Sequence, residues 1–109
     1  MRDLPYFHLV RLSQAALIWA DCPLGGAVGP ELHRVLQNLL EERAFPLVID
    51  LVRVPAVDDG VVAVLAAATS QAGFLGKAVE LRMAGGRRFT VRDAAGLRHA
   101  IAQAYPSAA

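Results

Sequence analysis

A chain of 109 residues with 55% hydrophobic and 19% charged residues carries enough apolar surface for one core and too little length for two, and it lies far from the polar composition of disordered chains. A formal net charge of +1 gives no global argument for nucleic acid, and the apolar runs are too short to cross a bilayer, which takes roughly 18 to 20 residues. The lone cysteine, Cys22, excludes an intramolecular disulfide and a thiolate-rich zinc site.

In chain order, the opening MRDLPYFHLV has an acid at position 3 and a proline at position 5, which is not the layout of a signal peptide, so a cytoplasmic protein is expected. YFHLVRLS and AALIWA read as an antiparallel hairpin turning at Ser13-Gln14. DCPLGGAVGP clusters glycine and proline into a loop. In GPELHRVLQNLLEER, Leu32, Val35, Leu36, Leu39 and Leu40 fall on one stripe of an amphipathic helix. Pro30 suits its first position, Glu31 its dipole, and Pro46 ends it. LVIDLVRV is a central strand interrupted by Asp50 and Arg53. Gly60 to Ala72 is an unusually apolar helix, with Gly73 expected as its left-handed stop. KAVELRM is a further strand. Beyond it two readings stand side by side: a hairpin turning at Gly85-Gly86, or a short helix from Arg87 to Ala95 followed by a closing strand HAIAQAY. Strand, loop and apolar helix in that order imply a mixed or parallel sheet packed under helices.

Charge is unevenly spread. Between Glu41 and Asp59 five acids stand against two arginines, and between Lys77 and Arg98 six bases stand against Glu80 and Asp93. The candidate chemistry lies in VPAVDDGVVAVLAAATS, Val54 to Ser70, where two aspartates precede the apolar helix. Asp58 at the N-cap accepts hydrogen bonds from orphan amides, worth about 0.5–2 kcal/mol over alanine, and Asp59 at the first position gains about 0.3–1 kcal/mol from the dipole. Capping and a partner-facing role for Asp59 both fit. Catalysis needs carboxylates held across a cleft, and adjacent residues at a helix start point apart. His8, His33 and His99 are scattered with no metal-ligand spacing, so no cofactor and no metal are expected. The glycine clusters LGGAVG and MAGGRR lack the Walker and dinucleotide frames; GGRR with Arg92 and Arg98 leaves a nucleotide- or anion-binding reading as a minor alternative.

The block LVIDLVRVPAVDDGVVAVLAAA resembles the hallmark of STAS domains, the family of anti-sigma factor antagonists and of the cytoplasmic domains of sulfate transporters. There an apolar strand ends in Asp-Leu, a short apolar link follows, and Asp-Ser-Ser/Thr-Gly-Leu-Gly opens a helix. Ile49-Asp50-Leu51 matches the strand end, Val54 to Val57 the link, Asp58 the first aspartate and Val64-Leu65 the apolar pair. AAGLRHAIAQAYPSAA is similar to the family's closing stretch, a Gly-Leu turn into a last strand and a Tyr-Pro-Ser helix start, which favours the second reading of the last third. The departure is at the switch. Asp59 falls on the serine that partner kinases phosphorylate, Gly60 on the next hydroxyl residue, and Val54 to Ala68 holds no serine or threonine.

The resemblance implies an α/β, STAS-like single domain over 1–109, a mixed four- to five-stranded sheet packed by amphipathic helices. It implies a non-enzymatic regulatory module in bacterial signalling and transcription regulation, whose partner is an anti-sigma factor or histidine-kinase-like ATPase. Contact would run through Ala56, Val57, Asp58, Asp59, Gly60, Val62 and Ala63, with Asp59 as the phosphosite equivalent and no phospho-switch. A homodimer is compatible with this reading. The alternative is a STAS subunit of a larger complex, in lipid transport or a stress-signalling scaffold. The apolar helix raises one further question, whether Val62, Ala63, Ala66 and Ala67 are covered by the neighbouring helix or left for a partner.

Overall fold

The computed structural model describes residues 6–106. Strands β1 (His8–Leu12) and β2 (Ala15–Trp19) are followed by helix α1 (Gly29–Glu41), strand β3 (Leu47–Asp50), helix α2 (Asp59–Phe74), strands β4 (Val79–Arg82) and β5 (Arg88–Val91), and helix α3 (Ala94–Ala104). The five strands lie side by side in sequence order. β1 and β2 pair antiparallel, β2–β3 and β3–β4 parallel, and β4–β5 antiparallel. The fold is α/β with a mixed sheet, at the upper end of the expected strand number.

Strand alternation sorts the sheet into two faces. Ala16, Leu47, Val79 and Val91 form one cross-strand row, and Ile18, Ile49, Leu81 and Phe89 the next; apart from partly buried Phe89, all are buried in the core under the helices. The parallel neighbours β2–β3 and β3–β4 each need a crossover helix, and the sequential strand order with right-handed connections puts both on the same face. α2 is the central helix, flanked by α1 on one side and α3 on the other. That arrangement resolves the apolar helix. Val61, Leu65 and Ala68 are buried, Val62 and Ala66 are covered as well, and Ala63 and Ala67 remain exposed with Phe74, which is 89% exposed.

The α1 stripe is buried throughout, but the helix begins one residue before Pro30, at Gly29, and ends before Pro46 is reached. Arg43 takes a left-handed φ of 56°, and Ala44 N–H and Arg43 N–H return to the carbonyls of Leu39 and Leu40, a Schellman-type stop. β3 is shorter than its apolar run because Asp50 Oδ1 accepts from Val52 N–H at 2.9 Å and turns the chain.

Two expectations are overturned. Gly73 is not the left-handed stop of α2: it lies inside the helix, and the left-handed residue is Gly76, φ 73°. What Gly73 supplies is closeness, since a Cβ there would lie 2.4 Å from the Arg92 carbonyl oxygen. The reading of the last third that the family resemblance favoured is also wrong. The chain forms the β4–β5 hairpin, turning through Ala84–Gly86 with Gly85 and Gly86 at positive φ; Arg88 to Val91 is strand instead of helix, and HAIAQAY is helix as far as Ala104 instead of strand. The physical reason is a stripe of Leu97, Ala100, Ile101 and Ala104 at helical spacing, packed on the core, behind an N-cap in which Asp93 Oδ1 accepts from Gly96 N–H at 2.7 Å.

Candidate functional site

β3 ends at a loop that carries the chain from Leu51 to Asp58, and this loop is tied down on both sides. Leu24, in the loop before α1, donates its N–H to the Ala56 carbonyl and accepts from Asp58 N–H, both at 2.9 Å, a parallel bridge that also pairs it with Val57. On the other side the Tyr105 hydroxyl, at the end of α3, donates at 2.7 Å to the Val54 carbonyl and lies 3.3 Å from that of Leu51. Leu51 and Val54 are buried beneath. The first turn of α2 is therefore presented on a fixed platform.

Asp58 is the N-cap: its backbone is extended, φ −72° and ψ 150°, and its Oδ1 accepts from Gly60 N–H at 2.7 Å. A Cβ on Gly60 would sit 3.1 Å from that same oxygen, so the residue after Asp59 has to be small for the cap to stay this tight. Asp59 is the first residue of α2, exposed, with its carboxylate free of any ion pair among the described residues. Capping and presentation are thus divided between two adjacent acids.

Ala56 and Gly60 are exposed, Val57 is half-buried against the core, Val62 is buried and Ala63 is exposed. Ala56, Val57, Asp59 and Val62 line an open groove of about 630 Å³ between the start of α2 and the end of α3. Arg98, Ile101 and Tyr105 form its other wall. The groove is apolar along its floor and carries one acid and one base at its rim. Asp58, Gly60 and Ala63 are adjacent to it and do not line it.

Sequence reasoning missed Arg98, Ile101 and Tyr105 as parts of this site because it placed them on a loop and an edge strand. The helical stripe behind Asp93 was the available signal. The basic residues Arg87, Arg88, Arg92 and Arg98 do not gather into one site by element: two enter or begin β5, one follows it and one lies on α3. His8 stacks on Trp19 with ring centroids 4.2 Å apart, His33 is exposed on α1, and His99 bonds Gln103 on α3.

Burial pushes the Tyr105 phenol above its ordinary range, and the neutral form is the one that donates to the Val54 carbonyl. Because the folded-state value is raised, this contribution is fully present below the unfolded-state value of about 10 and is lost as pH rises through the raised one. Tyr105→Phe is expected to cost about 1 kcal/mol at neutral pH and to lack the wild type's extra loss of stability above about pH 10. Urea titrations of both proteins at pH 7 and pH 10.5 check this; parallel pH dependence in the two would contradict the anchoring role.

No family model matches the chain, and no curated protein matches it in sequence. Among solved structures it is similar to a Thermotoga maritima protein described as an anti-sigma factor antagonist, with a TM-score of 0.59 and 10% sequence identity over 71% of this chain. The match spans 65% of that chain, just under two thirds. At this identity the likeness concerns the fold, which is STAS-like. Among the described residues no helix is long and apolar enough to cross a membrane.

Proposed function

We propose that this chain is a non-enzymatic regulatory module that docks a protein partner through the Ala56–Gly60 loop and the first turns of α2. The partner class is an anti-sigma factor of the histidine-kinase-like ATPase type. The observation that supports this most is the exposed Asp59 carboxylate at the start of α2, on a fold shared with an anti-sigma factor antagonist. A phosphoserine there would carry about −1.5 to −2 with three acceptor oxygens, whereas an aspartate carries −1 with two. The site therefore holds a permanent, partial version of the phosphorylated state, and the absence of any serine or threonine from Val54 to Ala68 leaves nothing for a kinase to esterify in this stretch. Such a chain either binds the kinase weakly at all times or meets a partner adapted to an acid.

Preorganisation supports the reading as well. A loop held by Leu24 and Tyr105 loses little freedom on binding, and ordering interface segments is one of the main costs of association. The test is co-purification of wild type and Asp59→Ser with a histidine-kinase-like anti-sigma factor from the same genome, in the presence of ATP and magnesium. The serine variant is expected to change its retention and to gain one phosphate by intact mass, with wild type gaining none. Equal retention and no phosphate on the variant would count against the proposal.

A further inference from the structure

We infer that the face of the sheet opposite the helices is the contact surface for a second copy of this chain. All three helices cover one face, and the other carries two cross-strand rows. The first runs His8, Trp19, Asp50, Arg82, Arg88, and the second Val10, Leu17, Val48, Glu80, Thr90. None of these ten residues is buried. The β1–β2–β3 half is apolar apart from His8 and Asp50 and extends to Leu12, 57% exposed, while the β4–β5 half is charged, with Arg82 Nε 2.6 Å from Glu80 Oε2.

This pattern is self-complementary under a two-fold axis. Place the axis between the two sheets, perpendicular to the strands and midway between the rows. Each strand then lies antiparallel over its own copy, and the first row of one molecule faces the second row of the other. Trp19 meets Leu17 and Leu17 meets Trp19, an apolar contact on β2, while on β3 Val48 meets Asp50, whose Oδ1 already accepts from Val52 N–H. Arg82 meets Glu80 and Glu80 meets Arg82, so the two intramolecular Arg82–Glu80 pairs join into one alternating four-charge cluster across the axis. Reciprocal contacts of this kind, residue i on j and j on i, are what an isologous interface requires, and sheets stacked face to face at about 10 Å accommodate them. A foreign partner would need to reproduce both rows; a second copy already has them. With strands about 4.8 Å apart and about 3.3 Å per residue, five strands of four or five residues give a flat footprint near 350 Å². Over both copies that is about 700 Å², below the roughly 1,200 Å² of stable complexes, so the contact is a weak one and association in the high micromolar range is expected.

The test is sedimentation velocity on the full 109-residue chain from about 5 to 500 μM, bracketing micromolar affinity. Wild type is expected to pass from monomer to dimer across that range. Leu17→Glu is expected to remain monomeric, with an unchanged circular-dichroism melt in dilute solution showing that it still folds. Glu80→Arg and Arg82→Glu, which place like charges opposite each other twice, are each expected to weaken the dimer tenfold or more, and the double swap to restore it to within threefold of wild type. A wild type that is monomeric at every concentration overturns the inference. So does a dimer insensitive to Leu17→Glu, or one whose charge variants weaken without rescue by the swap, because either result places the contact elsewhere.

Discussion

Leu65→Ala is expected to lower the unfolding free energy by about 3 kcal/mol, within the roughly 2–5 kcal/mol range of buried leucines. Leu65 is 1% exposed on the sheet-facing side of α2. It lines a narrow internal space of about 10 Å³ with Ile18, Leu32 and Ile49, which leaves almost no slack to absorb the change. Two of those neighbours belong to central strands whose backbones are fixed by pairing on both sides, so the site has little freedom to collapse and the cavity term stays large. Against a total stability of about 5–15 kcal/mol, such a loss lowers the melting temperature by about 10–20 °C. Urea unfolding should show a lower midpoint with an unchanged slope. A loss under about 1 kcal/mol would mean that α2 is not seated on the sheet through this residue.

Gly73→Ala is expected to cost about 1–3 kcal/mol although alanine is the better helix former by up to about 1 kcal/mol. The new Cβ would lie 2.4 Å from the Arg92 carbonyl oxygen, and that neighbour is backbone, which has no side-chain rotation available to relieve the clash. Arg92 directly precedes the α3 cap at Asp93, so relief of the clash displaces α3 and with it the wall of the groove. Gly76→Ala is the matched comparison. It meets open space at a φ of 73°, and its cost is left-handed strain alone, about 1–2 kcal/mol. Hydrogen exchange separates the two: the amides of α3 should lose protection in Gly73→Ala and keep it in Gly76→Ala. Equal protection of α3 in both variants would contradict the packing role of Gly73.

The sequence was legible where one physical signal acted alone. The α1 stripe, the hairpin around Ser13-Gln14 and the cap at Asp58 each rest on local periodicity or local hydrogen bonding, and each is found where expected. Legibility failed where a long-range contact decided the outcome. Gly73 looks like a helix stop because glycine commonly ends helices, yet its use depends on a carbonyl that lies far along the chain. In the last third a helical stripe of Leu97, Ala100, Ile101 and Ala104 stood behind Asp93, but the family resemblance favoured a closing strand in HAIAQAY; the flank of α2 on which that stripe packs is set by the tertiary fold. At the site, the Asp58–Asp59 pair was readable from the helix that follows it. The second wall, Arg98 with Ile101 and Tyr105, was lost together with α3.

The claim on which the functional reading rests is that one fixed carboxylate, at Asp59, governs how a partner docks. Calorimetric titration of a histidine-kinase-like anti-sigma factor into wild type and Asp59→Asn measures it directly, since the substitution removes the charge with little change in shape. A tenfold or larger difference in Kd, about 1.4 kcal/mol, is the expected result, together with loss of binding when Ala63→Arg crowds the exposed start of α2. Affinities within twofold of each other, with Ala63→Arg binding as wild type does, would contradict it.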